Sequence, residues 1–414
     1  MRRLALIVLF VVFPALAGNP TPFAGVRGVL EELSAQLPAG LAADEASWKT
    51  WSKQHNADIR GRLDQGDLDS MVNLLLFGTS FTTQPRIAIE TLAEQTRSGV
   101  LRARLDDLLR GLSAPGNNER LAVVRGIVDA KKVNQPAGTF ILENLQRVLS
   151  QRATLAARTE RQFRDRGVSL DTTLLPNFAI ETALAQLKAR GLLRTVTRAA
   201  VIGPGLDFTD KESGYDFYPQ QTLQPFALYD SLKRLGLGAA RPSITVFDIS
   251  PRVLDHLRQA RAKAYTVQLP RDSSAAWTPQ AIAYWRAFGD QIGTEVRPIK
   301  PPALLQGIET RAVRIRPDVV QVLEPADSNV IVETQEKANF DVVIATNILV
   351  YYDVFDQALA LSNIAAMLKP GGFLLTNDEL PMVQAIQMRL VDRTTVIYTE
   401  QPRYSDTVFW YQRR

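Results

Sequence analysis

Two short stretches constrain this chain more than any others. Ala200-Val201-Ile202-Gly203-Pro204-Gly205-Leu206-Asp207 is an apolar run that breaks into glycines, and Phe340-Asp341-Val342-Val343-Ile344-Ala345 is an apolar run leading into Thr346-Asn347-Ile348-Leu349-Val350-Tyr351-Tyr352. Neither alternates apolar with polar residues. Strands of that kind are buried on both faces, as in a parallel sheet with helices on each side. The pattern changes near Pro176. Upstream, apolar residues such as Leu101, Leu105 and Leu108, or Leu121, Val124 and Val128, recur at helical spacing; downstream, strand-like and helical runs alternate.

The expected organisation is therefore an all-helical domain over residues 18–175 and an α/β, Rossmann-like domain over 176–414. Residues 178–187 suit a helix, strands are expected at 199–202, 244–247, 319–323, 342–345 and 373–376, and an antiparallel pair at 394–398 and 407–411 closes the sheet. Residues 272–302 read as an inserted helical or loop segment without a role. Asp67 or Asp69 is expected to cap a helix running into the apolar stretch Met71 to Phe77.

Composition narrows the classes. At 414 residues and 46% apolar content the chain can build two substantial cores. A formal charge of +5 without a long Lys/Arg run does not imply a nucleic-acid partner. There is no cysteine, which excludes disulfides and Cys-based catalysis or metal binding. Nothing in the sequence places the two histidines, His55 and His256, together, so no metal site is expected. Arg2 and Arg3, an apolar run from Leu4 to Phe13, and Ala15-Leu16-Ala17 before Gly18 match a bacterial-type secretory signal peptide, residues 1–17, cleaved after Ala17. Export to the periplasm or medium follows, with membrane contact only if the segment is retained as an anchor.

The chemistry gathers at three strand ends. Gly203 and Gly205 form a turn that lets backbone N–H groups approach a ligand where a side chain would block it. Asp248 ends the strand Ile244-Thr245-Val246-Phe247 and can accept both hydroxyls of a ribose. Its other reading is a cap for the helix starting at Pro251, but Ser250 already serves that start. Asn347 can donate and accept at the lip of the central strand, and Tyr351 or Tyr352 can face a cation. The alternative there is a core helix with the tyrosines as its wet edge.

Taken together, these segments resemble the class I S-adenosylmethionine-dependent methyltransferases. The run Phe340 to Tyr352 is similar to the chemotaxis-receptor glutamate methyltransferase type, and Met367-Leu368-Lys369-Pro370-Gly371-Gly372-Phe373-Leu374 looks like the turn before that family's fifth strand. The resemblance covers about 178–414 and leaves the helical segment outside. It implies S-adenosylmethionine as cofactor, with Gly203 and Gly205 under its methionine and ribose portions and Asp248 on the ribose. It implies Asp327, after the third strand, near the adenine amine, and Asn347 and Tyr351 bordering the methyl group. The implied activity is methyl transfer to an O or N acceptor, a small molecule or a protein.

Three departures stand against that pattern. The acidic residue that the resemblance implies before the glycine turn is absent, and Asp207 stands where a third glycine is often found; under the resemblance Asp207 would replace the lost anchor for the ligand's ammonium. The interval of 43 residues from Gly205 to Asp248 is roughly twice the usual 20 or so. Its extra residues, Phe208 to Pro225, carry Tyr215, Phe217, Tyr218, Gln220 and Gln221 and read either as a lid over the pocket or as a loop packed on the helical segment. Finally, S-adenosylmethionine is made in the cytosol, which favours a cytoplasmic location over export. Two other functions fit the residues: a non-catalytic exported binding module, and an NAD-dependent oxidoreductase using the Gly-x-Gly turn and strand-ending Asp.

Overall fold

The computed structural model of the protein describes residues 16–155, 173–209, 215–335, 338–401 and 403–414. Of the expected signal segment only Leu16 and Ala17 fall within them; residues 1–15 lie outside.

The central sheet contains seven long strands: β1 Val196–Ile202, β2 Gly238–Asp248, β3 Leu323–Asp327, β4 Phe340–Ala345, β5 Leu368–Thr376, β6 Met388–Glu400 and β7 Arg403–Arg413. Their spatial order is β3-β2-β1-β4-β5-β7-β6, and a two-residue strand, Leu16–Ala17, lies parallel to β3 at the edge. Strands β1 to β5 are parallel, while β7 runs antiparallel to both β5 and β6. This is a doubly wound α/β sheet with its order reversing between β1 and β4, and such sheets bind ligands outside the carboxyl ends of the strands at that point. The closing hairpin is the ending that the resemblance implies.

Burial explains the unbroken apolar runs. All six residues of β4 are buried. On one face Val201, Val246, Ile344 and Leu375 pack with Leu184, Phe226 and Leu257 from the helices Leu175–Ala189, Gln224–Arg234 and Pro251–Ala260. On the other Ile202, Phe247, Val343 and Leu374 pack with Val29, Leu30, Trp48 and Leu361. The polar exception in β4 is Asp341, whose carboxylate accepts the N–H groups of Thr197 and Arg198 and pairs with Lys369. It ties three neighbouring strands at their amino ends.

The second face shows why the expected helical domain over 18–175 is not a single body. Helix Phe23–Glu32 and the first half of helix Glu45–Phe77, through Ile59, belong to the core of the sheet. The residues from Met71 onward form a separate core with the helices Val100–Ser113, Glu119–Lys131 and Ala137–Leu155. One 33-residue helix, capped by Asp44 on the N–H of Ser47, joins the two. Asp67 and Asp69 are thus inside a helix, not at its start. They bind Arg252 at 3.2 Å and Arg147 at 2.7 Å instead.

Two further expectations need correction. The third strand is not residues 319–323: Val319 and Val320 sit in a short helix opened by Pro317, and the strand runs Leu323–Asp327. The insert after β2 is larger than the 272–302 expected. It is a three-stranded antiparallel sheet of Tyr265–Asp272, Ile308–Ile315 and Gly293–Val296, in that order, with helix Pro279–Ala287.

Candidate functional site

The register brings Gly203, Asp248 and Asp327 to one rim. Ile202 lies opposite Phe247, and Asp248 lies opposite Asp327, so the two carboxylates end neighbouring strands while Gly203 leaves the adjacent one. Gly203 and Gly205 both take the left-handed backbone, at φ 62° and 68°. A β-carbon on Gly203 would run into Ile348 Cδ1, so packing by itself accounts for this glycine.

Asp248 turns toward the glycine turn. Its Oδ1 accepts the Ser250 N–H at 2.7 Å, and the N–H groups of Ile249 and Gly205 also point to the carboxylate. Ser250 is the residue before helix Pro251–Ala260 but caps nothing with its own side chain, so Asp248 shapes that helix entry as well as facing the rim. Burial, with Asp327 nearby, pushes the Asp248 carboxyl up to about 7 against the backbone donors.

Asp327 is engaged from within the chain. Arg60, from the long helix, donates to Asp327 Oδ1 at 2.7 Å and to the Ile249 carbonyl at 3.3 Å, and lies 3.7 Å from Glu333. Two positions on, Arg62 donates to the Tyr351 carbonyl at 2.8 Å and stands over the Tyr352 ring at 5.4 Å. The long helix therefore crosses the β2–β3 half of the rim. Sequence spacing held no sign of this, because Arg60 acts across 267 residues.

The β4 half is open. Asn347 is exposed and left-handed at φ 58°, a backbone that asparagine tolerates. Asn377 locks it: Asn347 N–H donates to Asn377 Oδ1 at 2.8 Å, and Asn377 Nδ2 donates to Asn347 Oδ1 at 2.5 Å. The Asp378 carboxylate receives the Leu349 and Val350 N–H groups, and burial raises it to about 6. Between the two tyrosines the structure decides plainly. Tyr351 lines a cavity, whereas Tyr352 is buried in the sheet core.

That cavity has a volume of about 710 Å³. Asp207, Asn347 and Tyr351 border it, together with Tyr215, Tyr218 and Gln221 of the long loop. Residues 268–272 and 275–277 of the insert and the tip of the β6–β7 hairpin, with Tyr398, Tyr404 and Asp406, close its other sides. Asp207 Oδ2 accepts the Tyr218 hydroxyl at 2.6 Å and Gln221 Nε2 at 3.2 Å. The loop both lines the cavity and packs on the helical segment. Asp216 accepts Thr79 N–H and Oγ1, each at 2.7 Å, and Arg120 donates to the carbonyls of Asp207, Phe208 and Tyr218. Of the expected site residues, then, Gly203, Gly205, Asp248 and Asp327 stand at the rim and Asp207, Asn347 and Tyr351 in the cavity wall.

The two histidines serve elsewhere, His55 Nε2 at 2.8 Å from Asp356 Oδ1 and His256 Nε2 at 2.9 Å from the Tyr265 hydroxyl. Among the described residues no helix is long and apolar enough to cross a membrane.

The class these features define is a doubly wound α/β sheet whose carboxyl rim lies beside a roomy cavity bordered by six aromatic rings. No protein-family model and no curated protein sequence matches the chain. Solved structures that align with it include a S-adenosylmethionine-dependent methyltransferase from Methanosarcina mazei, at 10% identity over 55% of this chain and 96% of that one, with a TM-score of 0.28. Another is magnesium protoporphyrin IX methyltransferase from Synechocystis PCC 6803 with bound S-adenosylmethionine, at 12% identity over 57% and 79% with a TM-score of 0.27. A third is the glycopeptide N-methyltransferase MtfA complexed with S-adenosylmethionine, at 14% over 56% and 70%, with a TM-score of 0.23. Superpositions this loose add nothing to what the strand order and register give.

Proposed function

We propose that the protein is a S-adenosylmethionine-dependent methyltransferase acting on an O or N acceptor. The observation that carries the reading is the register. It sets Asp248 at the end of β2, facing the Gly203–Gly205 turn, on one side of the switch point, and Asn347 at the end of β4 on the other. The residues fit the cofactor in part. Asp248 would hold the ribose hydroxyls, the glycine turn would pass beneath, and Asn347 and Tyr351 would border the methyl group; Asp207 already holds the Tyr218 hydroxyl and Gln221, so meeting the ammonium requires it to release one of them. Asp327 is held by Arg60, so a role at the adenine amine requires that ion pair to open.

S-adenosylmethionine supplies an already activated methyl group. The chain's own task is to align the acceptor and exclude water. The lip from Asn347 to Tyr351 favours the chemotaxis-receptor glutamate type among the family's branches, and a carboxylate acceptor needs no general base. We place the activity in the cytoplasm, where the cofactor is made. The pairing of Leu16 and Ala17 with β3 supports a retained N-terminal segment. A reporter active only outside the cytosol, fused after the first 40 or so residues, should stay silent.

Calorimetric titration with S-adenosylhomocysteine and with NAD tests the activity. The expected result is binding of S-adenosylhomocysteine that weakens by about tenfold or more in Asp248→Ala, and no binding of NAD. NAD binding alone would convert the reading to an oxidoreductase. Binding of neither would leave the non-catalytic module, which the Arg60 closure of the rim favours.

A further inference from the structure

We infer that the cavity takes a small aromatic carboxylate. Its volume of about 710 Å³ falls within the roughly 300–1,000 Å³ of small-molecule sites. Six rings border it: Tyr215, Tyr218, Trp277, Tyr351, Tyr398 and Tyr404. Walls of this kind stack planar groups, and their hydroxyls and indole nitrogens fix orientation.

The charges decide which planar group. Three carboxylates line the cavity, and each already holds donors from the protein. Asp207 accepts from Tyr218 and Gln221, Asp406 from the Tyr398 hydroxyl at 2.8 Å, and Asp272 from Ser274 N–H and Oγ at 2.8 and 2.6 Å. The two guanidiniums are matched less well. Arg86 has no hydrogen-bond or ion-pair partner among the described residues. Arg271 lies against Trp277 and Trp285 at 5.9 and 5.3 Å; it pairs with Glu309, a side chain 52% exposed, at 2.7 Å, and its buried Nε has no hydrogen-bond partner among the described residues.

A pocket whose acids are occupied and whose cations are under-used recognises an anion. The insert that carries Arg271 and Trp277, of which only residues 272–302 are expected from the sequence and without a role, forms the wall that selects the ligand. That this ligand is the methyl acceptor rests on the proposed function. The ligand class does not.

The test compares two probes of one shape and opposite charge, 2-naphthoate and 2-naphthylmethylamine, titrated into the full chain by calorimetry. Naphthoate should bind about tenfold or more tighter than the amine, and Arg86→Met and Arg271→Met should each weaken it by about tenfold. Arg271 packs between two tryptophans, so a thermal melt accompanies its variant. If that variant does not fold, the Arg86 variant and the wild-type probe pair decide alone. Equal or tighter binding of the amine would overturn the inference in favour of an ammonium held by the rings. So would naphthoate affinity unchanged by the Arg86 and Arg271 substitutions, or no naphthoate binding at all. Titration of S-adenosylhomocysteine into the same sample separates the two claims. Naphthoate without it removes the acceptor role and keeps the ligand class, and the converse removes the ligand class only.

Discussion

The two halves of the sheet's carboxyl rim are built from parallel strands of one sheet and end in opposite states. At the β2–β3 side, Asp248 and Asp327 lie side by side and the long helix sets Arg60 across them. At the β4 side, Asn347 and Tyr351 border an open cavity of about 710 Å³. A strand end alone does not decide whether a rim is closed or open. What is laid over it does: one helix from far upstream on the first side, and a loop, an insert and a hairpin tip around the second.

The largest effect that could break this contrast belongs to Gly203, at the junction of the halves. Gly203→Ala must place a side chain at φ 62° and against Ile348, which should cost about 2–4 kcal/mol in urea unfolding. Ile348→Ala in the same chain should recover part of it. No recovery would mean that Ile348 is not what fills the glycine's space.

Next comes the pH dependence of the closed half. The Asp248 carboxyl sits at about 7 in the folded protein and near 4 when unfolded. The folded state therefore binds the proton more tightly. The group's cost to stability grows as pH rises from about 4 to about 7 and stays complete above that. Melting of the wild type relative to Asp248→Asn should fall across that window. A difference independent of pH would mean that Asp248 is better solvated than its place at the rim implies.

The open half depends on Asn377, which holds Asn347 through both its backbone and its side chain. Asn377→Ala should cost about 1 kcal/mol and, under the proposed function, reduce turnover more than S-adenosylhomocysteine affinity. Equal losses in both would place Asn347 in cofactor binding alone.

The smallest change in stability is expected for Arg60→Met. Its ion pair with Asp327 is 30% and 41% exposed, so the loss should stay below about 1 kcal/mol. Removing it opens the rim, and S-adenosylhomocysteine affinity should rise severalfold. Unchanged affinity would show that the closed half is not part of the ligand site.

Much of the sheet was legible because its determinants are local. Fully apolar strands such as Val343-Ile344-Ala345, glycines with left-handed backbone after β1, and a carboxylate ending β2 all declare themselves over a few residues. The third strand was misplaced because Val319 and Val320 look strand-like, while Pro317 starts a helical turn there. The cap assigned to Asp67 or Asp69 failed for a related reason. Helix Glu45–Phe77 runs through them, and its partners Arg252 and Arg147 are distant in sequence.

The sequence by itself determined a doubly wound sheet, its closing hairpin and the residues at its rim, because periodicity and turn chemistry act between neighbours. Only the tertiary structure decided that Arg60 closes one half, that Tyr351 and not Tyr352 faces the cavity, and that the insert builds its far wall. Those outcomes depend on contacts across 267 residues for Arg60 and 289 for Arg62. Such contacts follow from how helices and strands pack, and no local pattern encodes them.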